Sequence, residues 1–142
     1  MIVDTSALLA IILDETDGKS CLAAIEHANH PRMSVGSYLE LYLRILRDNS
    51  PTTRQATEIL LQGLNITLEP ITEMQVKIAV DAFDRFGKGR KHPAQLNYGD
   101  CFSYALAKYM NEPLLFIGND FSQTDLSWID LATGKITQNE TG

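Results

Sequence analysis

Four acidic residues lie where the surrounding sequence is apolar or where a predicted strand ends. Asp4 follows a short apolar run at the start of the chain, and Asp120 follows the apolar segment 114–117. Glu40 and Asp100 lie inside segments whose other residues predict helices that face a core. Because a buried carboxylate is costly unless it is paired or binds a metal ion, these four residues are candidates for chemistry.

Carboxylates that converge on one point repel one another, by several kcal/mol for charges ~4 Å apart at an effective dielectric of about 20. A cation neutralises such a cluster, and oxygen ligands without cysteine or histidine favour Mg²⁺, or Mn²⁺, over Zn²⁺. The histidines are not spaced with the acids as a zinc site requires and are predicted at the surface: His27, His30 and His92. A magnesium ion that keeps bound water can activate it for attack on a phosphodiester. The hydroxyls of Thr5 and Ser6 are predicted to hold Asp4 or that water, or to cap the next helix.

Each acid also has a simpler structural interpretation. Asp4 is well placed to be only a helix N-cap, and Asp100 to complete a capping box. Glu40 would then point to solvent from an amphipathic helix, and Asp120 would be a turn residue. Asp125 competes with Asp120 as the acid that completes the site, so this choice stays open. The case for a shared site depends on the fold that brings the four acids together.

Strand and helix patterns alternate along the chain. Strands are predicted at residues 2–3, 32–35, 65–69, 114–117 and 128–131, and helices at 7–13, 19–29, 37–47, 51–62, 73–86 and 98–110. This alternation predicts an α/β protein, a three-layer α/β/α sandwich with a mostly parallel sheet of four to five strands. In such a sheet, sites form beyond the carboxyl ends of the strands, where Asp4 and Asp120 would lie. Residues 1–131 are predicted to form one domain, and residues 132–142 a loose polar C-terminal tail.

The bulk properties are those of an ordinary globular domain. The chain has 142 residues, which fits one domain. Residues 1–15 lack the basic start and the small-residue cleavage site of a signal peptide, and no segment is long enough to span a bilayer. We therefore expect a cytoplasmic protein without a membrane partner, in which Cys21 and Cys101 are reduced and buried.

The basic residues are concentrated in one loop although the net charge is −6. Four of the 12 Lys and Arg residues fall within seven positions: Arg85, Lys88, Arg90 and Lys91. The loop is either solvated or a rim beside Asp100 in which Lys88, Arg90 and Lys91 contact phosphates of a substrate. The acidity does not exclude a nucleic acid. It predicts weak non-specific binding and recognition of shape or of a single-stranded loop.

The motifs around the four acids resemble those of PIN-domain ribonucleases, in particular the VapC toxins of bacterial toxin–antitoxin pairs. The segment MIVDTSAL at residues 1–8 resembles the start of that family, and residues 38–40 resemble its second acidic motif. The third motif, residues 86–90 followed by 96–102, is the most specific, and residues 114–121 resemble the fourth. The similarity covers residues 1–131.

The resemblance implies a function, a site and partners. Asp4, Glu40, Asp100 and Asp120 would form the acidic pocket that holds Mg²⁺, on the PIN α/β/α sandwich. The chain would be a Mg²⁺-dependent endoribonuclease that hydrolyses RNA as the toxin of a toxin–antitoxin pair. Its partners would be a second copy, in a homodimer, and a VapB-type antitoxin whose tail blocks the site. Operator DNA would be bound only through the antitoxin.

The sequence departs from the family pattern at two places, and three other functions stay open. Asn119 stands where many relatives carry a second acid, and the basic loop has one extra residue at 90–93. The alternatives are a PIN-type nuclease that acts on DNA or structured flaps, and a PIN-like binding module with a silent site. A phosphoryl-accepting receiver domain would want paired acids at the first strand and a lysine at the last strand, and neither arrangement is clear in the sequence. The sequence does not fix the RNA that is cut or the number of metal ions.

Overall fold

The structure is a computed structural model and describes residues 1–139. Within these residues, the strands β1 to β6 span Ile2–Val3, Arg32–Ser34, Thr67–Glu69, Leu114–Leu115, Ser127–Ile129 and Ile136–Gln138. The helices α1 to α6 span Thr5–Ile12, Gly18–His27, Val35–Arg47, Pro51–Leu64, Glu73–Phe86 and Tyr98–Met110. A short 3-10 helix, Phe121–Gln123, follows β4.

The strands form one sheet in the order β3-β2-β1-β4-β5-β6. All pairs are parallel except β5 with β6, which is antiparallel. The chain moves outward from β1 to β2 and β3, and then returns to place β4 on the other side of β1. The order therefore reverses between β1 and β4, and in open α/β sheets sites typically form at such a point, beyond the carboxyl ends of the two strands.

The sheet separates two hydrophobic cores. Successive side chains of a strand point to opposite faces, so Ile2 and Leu114 pack on one side while Val3 and Leu115 pack on the other. The first core includes residues of α5 and α6, and the second includes residues of α1, α2, α3 and α4. Helices cover both faces, which confirms the predicted three-layer α/β/α architecture.

Polar side chains fix where most helices begin and end. Five of the helices have an N-cap whose side chain accepts a backbone N–H of the first turn: Asp4, Ser34, Ser50, Thr72 and Asn97. The bounds of α5 and α6 agree with those predicted from sequence. Helix α4 was predicted to close at Gly63, but it continues to Leu64 and ends at Asn65 in the left-handed region, with φ 53°. Asparagine tolerates that conformation, so the glycine is not needed as the terminator.

The predicted four- to five-stranded sheet and loose tail need one correction. Strand β6 lies inside the segment 132–142, and Thr137 pairs with Trp128 of β5. A turn that begins at Asp130 makes this hairpin, because the Gly134 N–H donates to the Asp130 carbonyl at 2.7 Å and Gly134 has φ 70°. Main-chain pairing stabilises this polar edge strand, so its sequence has no alternating apolar pattern from which a strand could be predicted. Residues 140–142 of the predicted tail lie outside the described part of the chain.

Smaller differences concern the ends of other elements. Helices α1 and α3 begin two residues earlier than predicted, at Thr5 and Val35, and β4 ends at Leu115 rather than at residue 117. Cys21 and Cys101 are free and buried, as expected. No helix among residues 1–139 combines the length and the apolarity needed to cross a membrane.

Candidate active site

Asp4 is a buried carboxylate at the point where β1 ends and α1 begins. Its Oδ2 accepts hydrogen bonds from the Ser6 N–H at 3.0 Å and from the Ser6 hydroxyl at 2.6 Å. Its Oδ1 accepts a hydrogen bond from the Ser103 hydroxyl at 2.5 Å. The Asp4 N–H donates to the Leu115 carbonyl at 2.9 Å, which holds the residue between β1 and β4. Asp4 is thus an N-cap and also a buried charge at the switch point of the sheet.

Glu40 lies on α3 and faces the first turn of α6. Burial raises the pKa of Glu40, the nearby Thr5 hydroxyl lowers it in part, and the charge of Asp4 raises it further. Thr5 itself donates its hydroxyl to the Ser37 carbonyl at 2.8 Å. A Cβ added to Gly99 would lie 1.7 Å from Glu40 Oε2, so the carboxylate rests against the backbone of α6. Glu40 therefore does not point away from the protein into bulk solvent.

Asp100 has a capping role and also belongs to the acidic group. Its Oδ2 accepts the Asn97 N–H at 3.0 Å, and the Asp100 N–H donates to Asn97 Oδ1 at 2.9 Å, which completes a capping box. Burial raises the pKa of Asp100 to about 7, although the Asn97 hydrogen bond opposes this shift. The charges of Asp4, Asp120 and Glu40 raise it further. All three other candidate acids therefore lie close enough to Asp100 to act on its charge.

Asp120 and Asp125 lie in different surroundings. Asp120 is exposed in the loop after β4, does not cap the 3-10 helix that follows, and is one of the charges that raise the pKa of Asp100. Asp125 instead accepts hydrogen bonds from the Tyr104 hydroxyl at 2.5 Å and from Lys108 Nζ at 2.8 Å. Burial alone would raise the pKa of Asp125, but these hydrogen bonds and the Lys108 and Arg85 charges lower it overall. Asp125 thus belongs to a separate ion-pair network, and Asp120 lies with the other acids.

The acidic group offers the right donors for a hard cation but does not enclose one in this conformation. Among residues 1–139, no group of three Asp, Glu, His or Cys side chains is arranged so that it could hold a metal ion. The donors are carboxylate oxygens, a set that suits Mg²⁺ or Mn²⁺, and neighbouring negative charges raise the pKa of Asp100 and of Glu40. The donor chemistry therefore fits a divalent cation, and the side chains would have to converge further to bind it.

The basic loop is anchored at its base and lies beside an apolar groove. The Lys88 N–H donates to the Leu96 carbonyl at 2.7 Å, so the extra residue of this loop falls within a closed segment. Lys88 and Arg90 line a cavity of about 1100 Å³ between α5 and α6, whose wall includes the first residues of α6. Lys91 is exposed, has φ 58° and is not part of that wall. Two of the loop's cations therefore lie on a groove that is lined by Tyr98 and Cys101 at the start of α6, next to Asp100 in the sequence.

Arg85, the other cation of this stretch, has structural partners. Its guanidinium pairs with Asp81 at 2.9 Å and donates to the Tyr104 hydroxyl at 3.3 Å. It also lies 3.6 Å from Asp125. Arg85 thus links α5 to α6. Arg90, one of the predicted substrate contacts, is ion-paired as well, with Asp84 at 3.3 Å.

Three residues around the acids were not identified from sequence. Ser103 and Ser37 are fully buried and hydrogen-bonded to each other at 3.0 Å, and Gly99 makes room for Glu40. A spacing signal was available, because Ser103 follows Asp100 by three positions and Ser37 precedes Glu40 by three. Residues three apart share one face of a helix, so each serine lies on the same side of its helix as a candidate acid.

The fold and the acidic group together define a protein class. The family model described as "PIN domain" matches residues 1–126, which include all four acids. Ribonuclease VapC28 of Mycobacterium tuberculosis is 44% identical over 124 residues, which cover 87% of this chain and 93% of the relative. Ribonuclease VapC30 of the same species is 45% identical over 133 residues, with 92% of this chain and 99% of the relative covered. The chain therefore belongs to the PIN-domain family and, within it, to the VapC ribonucleases, as its motifs predicted.

A solved structure supports the same fold. The chain is similar to a chain of a "Toxin-antitoxin complex from Klebsiella pneumoniae", with a TM-score of 0.64 and 16% sequence identity. The match covers 85% of this chain and 89% of the other. At this identity the likeness is evidence for the architecture only.

Proposed function

We propose that this chain is a divalent-metal-dependent endoribonuclease that acts as the toxin of a toxin–antitoxin pair. The observation that carries the proposal is that Asp4, Glu40 and Asp120 all lie near enough to Asp100 for their charges to raise its pKa, and that Asp4 lies at the switch point of a parallel sheet. Strongly perturbed carboxylates in a crevice are typical of functional sites. The relatives named as VapC ribonucleases, at 44% and 45% identity, support RNA as the substrate.

Mg²⁺ is the proposed cofactor, with Mn²⁺ as a substitute, and Asp4, Glu40, Asp100 and Asp120 would hold it. When bound, the ion supplies an activated water and stabilises negative charge on the phosphate. Ser6 keeps Asp4 oriented through two hydrogen bonds to Oδ2. Ser6 would thus support a ligand by orienting it, in the way that outer-shell groups tune metal sites, and Thr5, whose hydroxyl lowers the pKa of Glu40 in part, would act beside Glu40.

Single-stranded RNA is the proposed form of the substrate. Lys88 and Arg90 are exposed on the groove beside α6, and Lys91 lies next to them in the loop. They would contact phosphates on either side of the scissile bond. Because the chain has a net charge of −6, binding to nucleic acid in general is expected to be weak. A negatively charged protein with a local group of cations is suited to recognise an unpaired loop of RNA beside those cations.

The proposed partners are a second copy of the chain and a VapB-type antitoxin. Helix α3 exposes an apolar strip at positions that share one face, with Leu39 57%, Leu43 54% and Leu46 47% accessible. A strip of this kind is typical of an interaction surface. We propose that it serves the homodimer, that the antitoxin blocks the acidic site, and that operator DNA is bound only through the antitoxin. The nuclease domain would be residues 1–131, with β6 as a further edge strand of its sheet, and it would act in the cytoplasm.

The activity is tested by cleavage of a single-stranded RNA in the presence of Mg²⁺. Cleavage should stop with EDTA and with Asp4→Asn. It should continue with Asp48→Asn, which changes an exposed acid away from the site. A DNA strand of the same sequence should be cut far more slowly. Undiminished cleavage by Asp4→Asn would refute the assignment, and equal cleavage of DNA would refute the substrate class.

A further inference from the structure

A series of hydrogen-bonded serine hydroxyl groups lies at the centre of the site. The Ser37 and Ser103 oxygens lie 3.0 Å apart, and Ser103 donates to Asp4 Oδ1. On the other side of the carboxylate, Ser6 donates to Oδ2 and accepts the Ile117 N–H at 3.0 Å. Ser37 and Ser103 are both 0% accessible, so water does not complete their hydrogen bonds. These hydrogen bonds therefore link α3, α6, α1 and the loop after β4 through the side chain of Asp4.

The direction of these hydrogen bonds follows from the number of protons. An ionised carboxylate only accepts, so the single hydroxyl proton of Ser103 goes to Asp4 Oδ1. Ser103 must then be the acceptor in its bond with Ser37, and Ser37 must be the donor. This order polarises the Ser103 hydroxyl towards Asp4, because hydrogen bonds in a chain strengthen one another. The geometry thus makes Ser37 a support for Ser103, and Ser103 a support for Asp4.

The same counting shows which part of Asp4 stays available. A carboxylate has roughly four lone-pair positions, two on each oxygen. Oδ2 accepts two donors from Ser6, and Oδ1 accepts one donor from Ser103. The fourth position, on Oδ1, is the one that these three hydrogen bonds leave for a ligand. Ser103 occupies the other lone pair of that same atom and so determines where the fourth position points.

The two serines also set the distance between the helices that carry the other acids. Ser37 lies three residues before Glu40 on α3, and Ser103 lies three residues after Asp100 on α6. Next to the serine pair, α3 and α6 approach closely, because a Cβ added to Gly36 would lie 2.5 Å from the ring of Phe102. The serine hydrogen bond therefore lies at a tight helix crossing, about one turn from both acids.

We infer that Ser103, supported by Ser37, is a positioning residue for the metal site, a role that rests on the proposed function. Neither serine is proposed to touch RNA. Ser103 fixes the orientation of Asp4 Oδ1 before the ion arrives, and the pair holds α3 and α6 at the spacing that brings Glu40 and Asp100 to it. Outer-shell partners of this kind typically contribute a factor of about 10–100 in metal affinity.

The test is a Mn²⁺ titration of the purified chain, followed by cleavage of RNA at increasing Mn²⁺. Ser103→Ala should raise the Mn²⁺ dissociation constant by about 10- to 100-fold, and Ser37→Ala should raise it less. The matched control is Thr57→Val, which removes a buried hydroxyl on α4 that donates to the Thr53 carbonyl. This control should leave Mn²⁺ affinity unchanged. Excess Mn²⁺ should restore cleavage by Ser103→Ala, with the KM for RNA unchanged, because the serine acts only through the metal ligand.

The outcomes separate this inference from the proposed function. If the parent binds Mn²⁺ and cleaves RNA while folded Ser103→Ala matches it or matches Thr57→Val, the positioning role is refuted and the nuclease assignment remains. If Ser103→Ala does not fold, Ser37→Ala decides the question by the same comparison. If the parent neither binds Mn²⁺ nor cleaves RNA, the proposed function fails and this inference fails with it.

Discussion

Replacing Gly99 by alanine should remove activity with little effect on folding. Gly99 is the second residue of α6 and its backbone is not in the left-handed region, so alanine can adopt the same conformation. The added Cβ would lie 1.7 Å from Glu40 Oε2 and 2.6 Å from Glu40 Cδ. These atoms are the far end of a flexible side chain. We therefore expect the Glu40 carboxylate to move while the helix stays in place.

The expected magnitudes differ for stability and for rate. Alanine is favoured over glycine in a helix by about 0.5–1 kcal/mol, which offsets the cost of moving Glu40. Ordinary contact requires roughly 3.5 Å, so the carboxylate must move by about 1.5–2 Å. A displacement of about 1 Å at a reacting centre can lower the rate by roughly 10²-fold. Gly99→Ala should therefore unfold at nearly the parent temperature and cleave RNA about 100-fold more slowly.

The assay combines thermal unfolding of the metal-free protein with single-turnover cleavage of RNA in Mg²⁺. Gly63→Ala is the matched control, since Gly63 is also helical and nothing lies within 4 Å of an added Cβ there. The control should be as stable as the parent or slightly more stable, with unchanged cleavage. If Gly99→Ala cleaves as fast as Gly63→Ala, the position of Glu40 against α6 does not matter for catalysis. If Gly99→Ala instead unfolds at a much lower temperature, Gly99 is required for packing.

Three further predictions concern charges in and beside the site. Metal-free Asp100→Asn should be at least as stable as the parent at pH 8, because burial and three negative charges raise the pKa of Asp100 to about 7. Mg²⁺ should raise the unfolding temperature of the parent only. Asp125→Asn should lower the free energy of unfolding by about 1–2 kcal/mol at neutral pH while Mn²⁺ affinity is kept. The folded pKa of Asp125 is lowered, so the ionised side chain adds stability above its unfolded pKa of about 3.9, and this stability is lost as the pH falls through the folded pKa. In urea unfolding, acid should therefore reduce the difference in the free energy of unfolding between Asp125→Asn and the parent. Removing Lys88 and Arg90 together should raise the KM for RNA and flatten its salt dependence without changing metal affinity; an unchanged salt slope would place the substrate elsewhere.

Features with local signals were predictable from sequence. The first residues of α5 and α6 follow from Thr72 and Asn97, whose side chains accept a backbone N–H three residues further on. The alternation of strands and helices was enough to predict a parallel sheet, and hence the placement of Asp4 at a strand end. Such signals involve residues only a few positions apart, so they can be read directly from a single sequence.

Features that depend on distant contacts were not predictable. The hydrogen bond from Ser103 to Asp4 joins residues 99 positions apart, and a buried serine has no distinctive pattern. The choice between Asp120 and Asp125 likewise depended on Tyr104, which lies 21 positions from Asp125 and binds it. Strand β6 was missed because a polar edge strand is stabilised by main-chain pairing. In each case the deciding partner belongs to another element of the fold.

The four acids are held in place by different means. Asp4 is fixed by three hydrogen bonds, and Asp100 is fixed by its capping box at the start of α6. Glu40 is placed by its packing against Gly99, whereas Asp120 lies on an exposed loop. Glu40 and Asp120 therefore have the weaker restraints. If the four acids hold a divalent ion as proposed, Asp4 and Asp100 would already be oriented for it, and Glu40 and Asp120 would adjust to it.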